Sequence, residues 1–273
     1  MFELFIGQRQ IVRELDAIAA GLKNKRDGIN ILLRGPAGCG KTTLSRIFCY
    51  ELAGRNFSYQ IPKDNLRLPY GLDGLRAHII DEIHMAKDFE NFYPVMDAGN
   101  KVIIFCTTEA GVLPDPFTSR CITLSFAEYS MQDICTIIVN YGKDLSFPIT
   151  EGTAKLISER SRGNPRVAKN YLKRVKFLID RGYHNKTIPG IIAAFEEIGI
   201  FKGGYTDLDM RYLKFLSRIG RASLQTISRS LGIDIETLKN DIEPFLMDKG
   251  HISITSRGRN FIDWRNGELR NEQ

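Results

Sequence analysis

The stretch Ile29-Asn30-Ile31-Leu32-Leu33-Arg34-Gly35-Pro36-Ala37-Gly38-Cys39-Gly40-Lys41-Thr42 decides how this chain is read. Ile29 to Leu33 is a short β-prone run that stops at Gly35-Pro36. Residues 35–42 satisfy G-x-x-x-x-G-K-[ST] in full, and Thr42 to Leu52 is expected to be helical. A strand, a glycine-rich turn and a helix in that order make a phosphate cradle. The glycines let backbone N–H groups converge on phosphate oxygens, and the helix presents the positive end of its dipole. Lys41 is expected to reach the β- and γ-phosphates of ATP, and the Thr42 hydroxyl to ligate Mg2+. The cradle therefore comprises Gly35, Pro36, Ala37, Gly38, Cys39, Gly40, Lys41, Thr42 and Thr43.

Working outward, Ala77-His78-Ile79-Ile80 is a second compact apolar run, ending in Asp81-Glu82. Lys101 to Phe105 is a third, ending in Cys106-Thr107-Thr108. Upstream, Ile11, Val12, Leu15, Ile18, Ala19 and Leu22 fall at helical spacing within residues 8–24. Short apolar strands separated by helical segments predict an α/β fold with a parallel sheet and helices on both faces. In such sheets the chemistry sits at the carboxyl ends of the strands. Asp81 can there hold the metal ion, and Glu82 can polarise the attacking water as general base. The alternative for this pair is a helix cap. Thr107 and Thr108 suit a γ-phosphate sensor, or simply a β-prone strand end. Arg120 and Arg166 are candidate transition-state cations or solvated surface arginines.

Beyond about residue 128 the pattern is helical. Met131–Tyr141, Thr153–Arg160 and Pro165–Ile179 are each periodic, with Asn164 as N-cap and Pro165 in the first helical position. Gly203-Gly204 reads as a linker. The last ~70 residues follow the order helices, then a β-prone run at His251–Thr255, which suits a winged helix. With 273 residues there is room for two or three domains, expected at 1–128, 129–203 and 204–273. Lys plus Arg outnumber Asp plus Glu by 38 to 32, a net charge of +6 that fits an anionic partner such as nucleic acid. The five cysteines are scattered without metal-ligand spacing. No basic leader precedes an apolar stretch, and no run approaches the ~20 residues that span a bilayer. A cytoplasmic protein without a membrane association is expected. His84 is read as a helix-face residue, Trp264 as packing beside the wing, and Lys173-Arg174-Val175-Lys176 as a solvated face or a DNA contact.

Blocks along most of the chain resemble the RuvB family, bacterial AAA+ motors of Holliday-junction branch migration. Phe5-Ile6-Gly7-Gln8 resembles its F-I-G-Q, and Gly35 to Leu44 its G-P-P-G-x-G-K-T-T-L. Ile80-Asp81-Glu82-Ile83-His84 matches I-D-E-I-H, and Tyr93-Pro94-Val95-Met96-Asp97 resembles Y-P-A-M-E-D. Thr107-Thr108-Glu109-Ala110-Gly111 parallels T-T-R-A-G, and Arg160 to Arg166 parallels R-S-R-G-T-P-R. Ile242-Glu243-Pro244-Phe245-Leu246 and Arg257-Gly258-Arg259 resemble its C-terminal blocks.

The resemblance implies an AAA+ ATPase core, a helical lid and a winged helix, assembled as a homo-hexameric ring on junction or duplex DNA. It implies Thr108 as a catalytic sensor and Arg120 as an arginine finger reaching the neighbouring subunit's ATP. Arg166 becomes a lid arginine on the γ-phosphate, Tyr129 and Ile6 lie near the adenine, and Arg257 and Arg259 contact DNA from the wing. The departures are specific. After Met96-Asp97 only Ala98-Gly99-Asn100-Lys101 precede the next strand, where the family has a hairpin that grips its partner RuvA, so a RuvA-type partner is disfavoured. Two further DNA arginines of the family are Ile235 and Ile254 here, and Glu109 stands where the family has Arg. Two functions remain in view: a ring motor that translocates DNA, and a loader or initiator that places a helicase or clamp on DNA. A non-hydrolysing scaffold fits poorly with Lys41, Asp81, Glu82 and Arg120 all present.

Overall fold

The computed structural model describes residues 2–23, 27–62 and 74–262; Trp264 lies outside them. Two compact units divide the chain: Met1–Ser146 with Gly163–Lys169, and Phe147–Arg162 with Asn170–Gln273.

The first unit runs α1 (Arg9–Leu22), β1 (Ile29–Arg34), α2 (Lys41–Ala53), β2 (Phe57–Gln60), β3 (Ala77–Ile80), α3 (Tyr93–Asp97), β4 (Val102–Thr107), α4 (Asp115–Thr118), β5 (Ile122–Ser125) and α5 (Met131–Asp144). The strands form one parallel sheet in the order β2-β3-β4-β1-β5. Every residue of β3 and β4 is buried, as expected of inner parallel strands covered on both faces. The two edge strands have no counterpart in the apolar runs. Phe57-Ser58-Tyr59-Gln60 and Ile122-Thr123-Leu124-Ser125 mix polar and apolar residues because an edge is only partly covered.

One face of the sheet packs Leu32, Ile80, Ile103 and Phe105 against Phe92, Met96 and Phe117. Phe105 and Phe117 meet edge to face at 4.8 Å, and Phe92 meets Phe117 at 6.1 Å. Such pairs add about 0.5–1.5 kcal/mol each beyond their area burial. They anchor two very short helices, α3 and α4, that could not stand alone. Asn30 is polar within the otherwise apolar run of residues 29–33 in β1, and its amide is satisfied by the carbonyls of Met96 (3.1 Å) and Arg120 (3.2 Å). The return from α3 to β4 is a tight turn: Gly28 N–H bonds Gly99 O at 2.6 Å, and Ile29 N–H bonds Lys101 O at 3.0 Å. A Cβ on Gly28 would lie 2.1 Å from the Lys101 carbonyl oxygen, so the crossing demands glycine.

The second unit contains α6 (Glu151–Arg160), most of α7 (Pro165–Asp180), α8 (Ile188–Glu197), α9 (Asp207–Ile219), β6 (Arg221–Ala222) and α10 (Leu224–Leu231). It ends with α11 (Ile235–Thr237), α12 (Glu243–Asp248), β7 (Ile252–Thr255) and β8 (Gly258–Phe261). A π turn at Leu238–Ile242 joins α11 to α12, just before Pro244, whose missing N–H cannot continue a regular ladder. β6, β8 and β7 form a small antiparallel sheet in that order. Its core is Tyr212, Leu213, Leu216, Ile227, Leu238, Ile242, Leu246 and Ile252.

Gly203-Gly204 is not an open connector. It forms a short 3-10 turn flanked by the Ile200–Thr206 bridge, and Gly204 is buried with its carbonyl accepting from Arg162 Nε at 2.9 Å. Arg162 also pairs with the buried Asp209 carboxylate, donates to Asp241 O at 3.2 Å and lies 3.6 Å over the Phe245 ring. This one side chain ties α9 and α12 to the end of α6.

Candidate ATPase site

Parallel pairing brings the carboxyl ends of β1, β3 and β4 to one rim. Arg34 is opposite Thr107 in register, and Gly35 N–H reaches Thr107 O at 3.3 Å. The loop between β1 and α2 turns on glycines with positive φ, Gly38 at 81° and Gly40 at 96°. A Cβ on Gly38 would come within 2.6 Å of Asn164 Oδ1 and 2.7 Å of Arg166 Cβ. The loop is thus shaped for backbone N–H groups alone. Lys41 is buried and its ammonium donates to the carbonyls of Gly35 (2.7 Å) and Pro36 (2.9 Å). Thr43 is exposed on the next position of the helix. Burial pushes up the Cys39 thiol, so the residue is an inert part of the loop despite the nearby Lys41.

Beside the loop, Thr42 Oγ1 donates to Asp81 Oδ2 at 2.7 Å. A hydroxyl and a carboxylate in contact are the hard oxygen donors that Mg2+ takes. Asp81 is further oriented by Glu82 N–H at 3.1 Å and by the Tyr59 hydroxyl, which donates to Oδ2 at 2.9 Å. Arg46 lies 4.5 Å over the Tyr59 ring. Tyr59 escaped the sequence reading because β2 did.

Glu82 has φ 52°, a left-handed conformation that costs a non-glycine residue about 1 kcal/mol or more. This turn aims its carboxylate across to β4, where Thr108 Oγ1 donates to Oε2 at 3.3 Å. His84 is not on an open helix face: its Nδ1 is 3.1 Å from Thr107 Oγ1 and 3.5 Å from Glu82 Oε2, and its Nε2 is 3.7 Å from Glu109 Oε1. Thr107 Oγ1 also accepts Glu109 N–H at 3.0 Å, so the hydroxyl joins His84 to the Glu109 backbone.

Phe5 to Gln8 and Tyr129 converge on the other side of the loop. Gln8 exchanges two hydrogen bonds with the backbone of Ala127, at 2.6 and 3.1 Å. The Tyr129 ring lies against Gly7, where a Cβ would come within 2.6 Å, and its hydroxyl donates to Cys39 O at 2.9 Å. Burial pushes the Tyr129 phenol far up. Ile6, between Phe5 and Gly7, is half-buried. Asn164 caps α7 as predicted, its Oδ1 accepting from Arg166 N (2.9 Å) and Val167 N (3.3 Å), and its Nδ2 donates to Ala37 O at 2.8 Å. That second bond sets exposed Arg166 against the loop.

Arg120 has its side-chain partners outside this cluster. Its Nε and Nη2 donate to the two Asp97 carboxylate oxygens at 2.9 and 3.3 Å, and Nη1 donates to Pro116 O at 2.6 Å. The bond to Asp97 raises its already high pKa further.

On the winged helix, the two arginines separate. Arg257 is exposed. Arg259, expected on DNA, instead donates from Nε and Nη2 to the buried Glu243 carboxylate at 2.8 and 3.0 Å, and Tyr212 donates to the same group at 2.9 Å. Ile254 is exposed and Ile235 packs at the edge of the helical core.

A profile described as the RuvB AAA lid domain matches residues 129–185, and one described as the RuvB C-terminal winged helix domain matches residues 202–263. The Holliday junction branch migration complex subunit RuvB of Mycoplasma genitalium is 30% identical over 94% of this chain and 92% of its own length. That of Ehrlichia canis is 31% identical over 95% and 88%. Among solved structures, the Thermotoga maritima RuvB Holliday junction branch migration motor superposes with a TM-score of 0.79 at 28% identity, over 95% of this chain and 93% of that one. Domain III of the Thermotoga maritima replication initiation protein DnaA superposes at 0.58 with 14% identity, a likeness of fold alone. Together with the parallel sheet and its phosphate loop, these near full-length matches show that the chain belongs to the RuvB family.

Proposed function

We propose that this chain is an ATP-hydrolysing motor acting on DNA, of the branch-migrating kind, working as a ring of identical subunits. The observation that carries the reading is the meeting of Lys41, Thr42, Asp81, Glu82 and Thr108 at one rim of the sheet, in a chain collinear with RuvB almost end to end.

In this reading Lys41 leaves the loop carbonyls for the β- and γ-phosphates, and the loop N–H groups hold the rest of the triphosphate. Thr42 and Asp81 would hold Mg2+, which when bound neutralises charge on the β- and γ-oxygens. Glu82 accepts the proton of the attacking water, with Thr108 fixing its carboxylate. Tyr129 and Ile6 border the adenine, and Arg166 meets the γ-phosphate from α7. Arg120 serves the neighbouring subunit, a contribution worth about 10³–10⁵ in rate where such fingers act.

The chain is proposed to work without a RuvA-type grip, since Ala98–Lys101 forms only a turn. Arg257 is the proposed phosphate contact on the wing. A core of 1–128, a lid of 129–203 and a winged helix of 204–273 remain the functional division, with the cytoplasm as the setting.

The test is ATP hydrolysis by the purified protein alone, and with a four-way junction, linear duplex or single strand. Strong stimulation by duplex or junction is expected. Slow hydrolysis unmoved by every DNA would sink the motor reading in favour of a loader.

A further inference from the structure

Arg120 is held by more than its own backbone. Asp97 supplies two carboxylate oxygens, Pro116 a carbonyl, and the Tyr93 ring lies 4.5 Å beneath the guanidinium carbon. The Asn30 amide bonds both the Arg120 carbonyl and that of Met96, the residue before Asp97. Met96, just before Asp97 on α3, and Phe117, on α4 three residues before Arg120, are buried in the same core. Both ends of the ion pair are thus fixed to β1.

We propose that Asp97, backed by Asn30 and Tyr93, is the positioning residue that presents Arg120 to the neighbouring subunit's triphosphate. The inference rests on the reading of Arg120 as a finger acting in trans. A guanidinium has five N–H donors in a rigid fork. Three are engaged in the contacts above, and two remain to meet phosphate oxygens. A free arginine loses much rotamer freedom when it binds; one already locked in place loses little. Asp97 is more than half exposed, and exposed ion pairs are weak, so the carboxylate aligns the fork without competing with a triphosphate. Sequestration of the finger by Asp97 would have the opposite kinetic sign.

The test compares Asp97→Ala, Asp97→Asn and Arg120→Ala in the full chain. Asp97→Ala is expected to lower kcat about tenfold, the scale of the ordering cost it reimposes, with KM and the affinity for a fluorescent ATP analogue unchanged. Asp97→Asn, which keeps one acceptor for Nε, should fall between it and wild type. Asp97→Ala is then mixed with Glu82→Gln, which keeps its finger but cannot turn over. Interfaces that join an intact site to an intact finger should restore about a quarter of wild-type activity at equal proportions, from random assembly of a ring. Wild-type or raised activity of Asp97→Ala would overturn the proposal. So would a loss that mixing does not rescue, which would mark local misfolding. Arg120→Ala with Glu82→Gln is the control: if Arg120→Ala itself hydrolyses ATP at the wild-type rate, the trans-finger reading fails, and the proposal with it.

Discussion

Replacing Arg259 by alanine separates two roles for a wing arginine, DNA contact and structural clamp. The side chain is 15% exposed and the Glu243 side chain 3%, and the two meet through paired hydrogen bonds of 2.8 and 3.0 Å. Removing the arginine strands a buried carboxylate that then keeps, among the described residues, the Tyr212 hydroxyl as its side-chain partner. Breaking a buried pair from one side costs roughly 3–5 kcal/mol. Arg259 reaches some solvent and water can follow, so about 3 kcal/mol is the expected loss. For the compact unit that holds both residues, that lowers the melting transition by roughly 10 °C or more. A phosphate contact behaves otherwise: its loss leaves stability within about 0.5 kcal/mol and lowers the salt slope of DNA binding by about 0.9. That second pattern is expected of Arg257→Ala. The assay is urea and thermal denaturation of the full chain beside DNA affinity measured across a salt series. Arg259→Ala with a wild-type transition and a reduced salt slope would refute the clamp.

Three further outcomes are expected. Glu82→Gln should bind ATP at wild-type affinity with turnover at the limit of detection, whereas Lys41→Ala should lose binding itself; equal turnover of Glu82→Gln and wild type would remove the general base. Gly38→Ala should weaken ATP binding by tenfold or more and also lower the melting transition, because its Cβ would come within 2.6 Å of Asn164 Oδ1 at φ 81°, a strain of about 1 kcal/mol or more. His78 is held below the usual imidazole range, first by burial and then by the nearby Lys101 charge. Its folded pKa being depressed, it contributes stability above pH ~6.5 that is lost as pH falls through the folded value. His78→Gln should flatten that part of the urea-midpoint profile, and an unchanged profile would exclude His78 as its source.

The phosphate loop, the two buried strands and their terminal Asp81-Glu82 and Thr107-Thr108 were legible from the sequence because each is local. A glycine spacing or a β-prone apolar run carries its meaning within a few residues. The helical regions and the Asn164 cap were legible for the same reason, through periodicity and a backbone N–H partner two or three residues away. The edge strands were not, since partial exposure removes the apolar run that marks a strand. Tertiary structure alone decided the pairings between residues far apart in the chain. It set Tyr59 on Asp81, turned His84 inward between Glu82 and Glu109, and joined Asp97 to Arg120 through Asn30. It also took Arg259 from the surface, where charge alone would leave it, and committed it to Glu243. An arginine looks the same in a sequence whether its partner is phosphate or carboxylate. Which one it meets depends on what the fold buries beside it, because a buried carboxylate must be paired and an exposed one need not be.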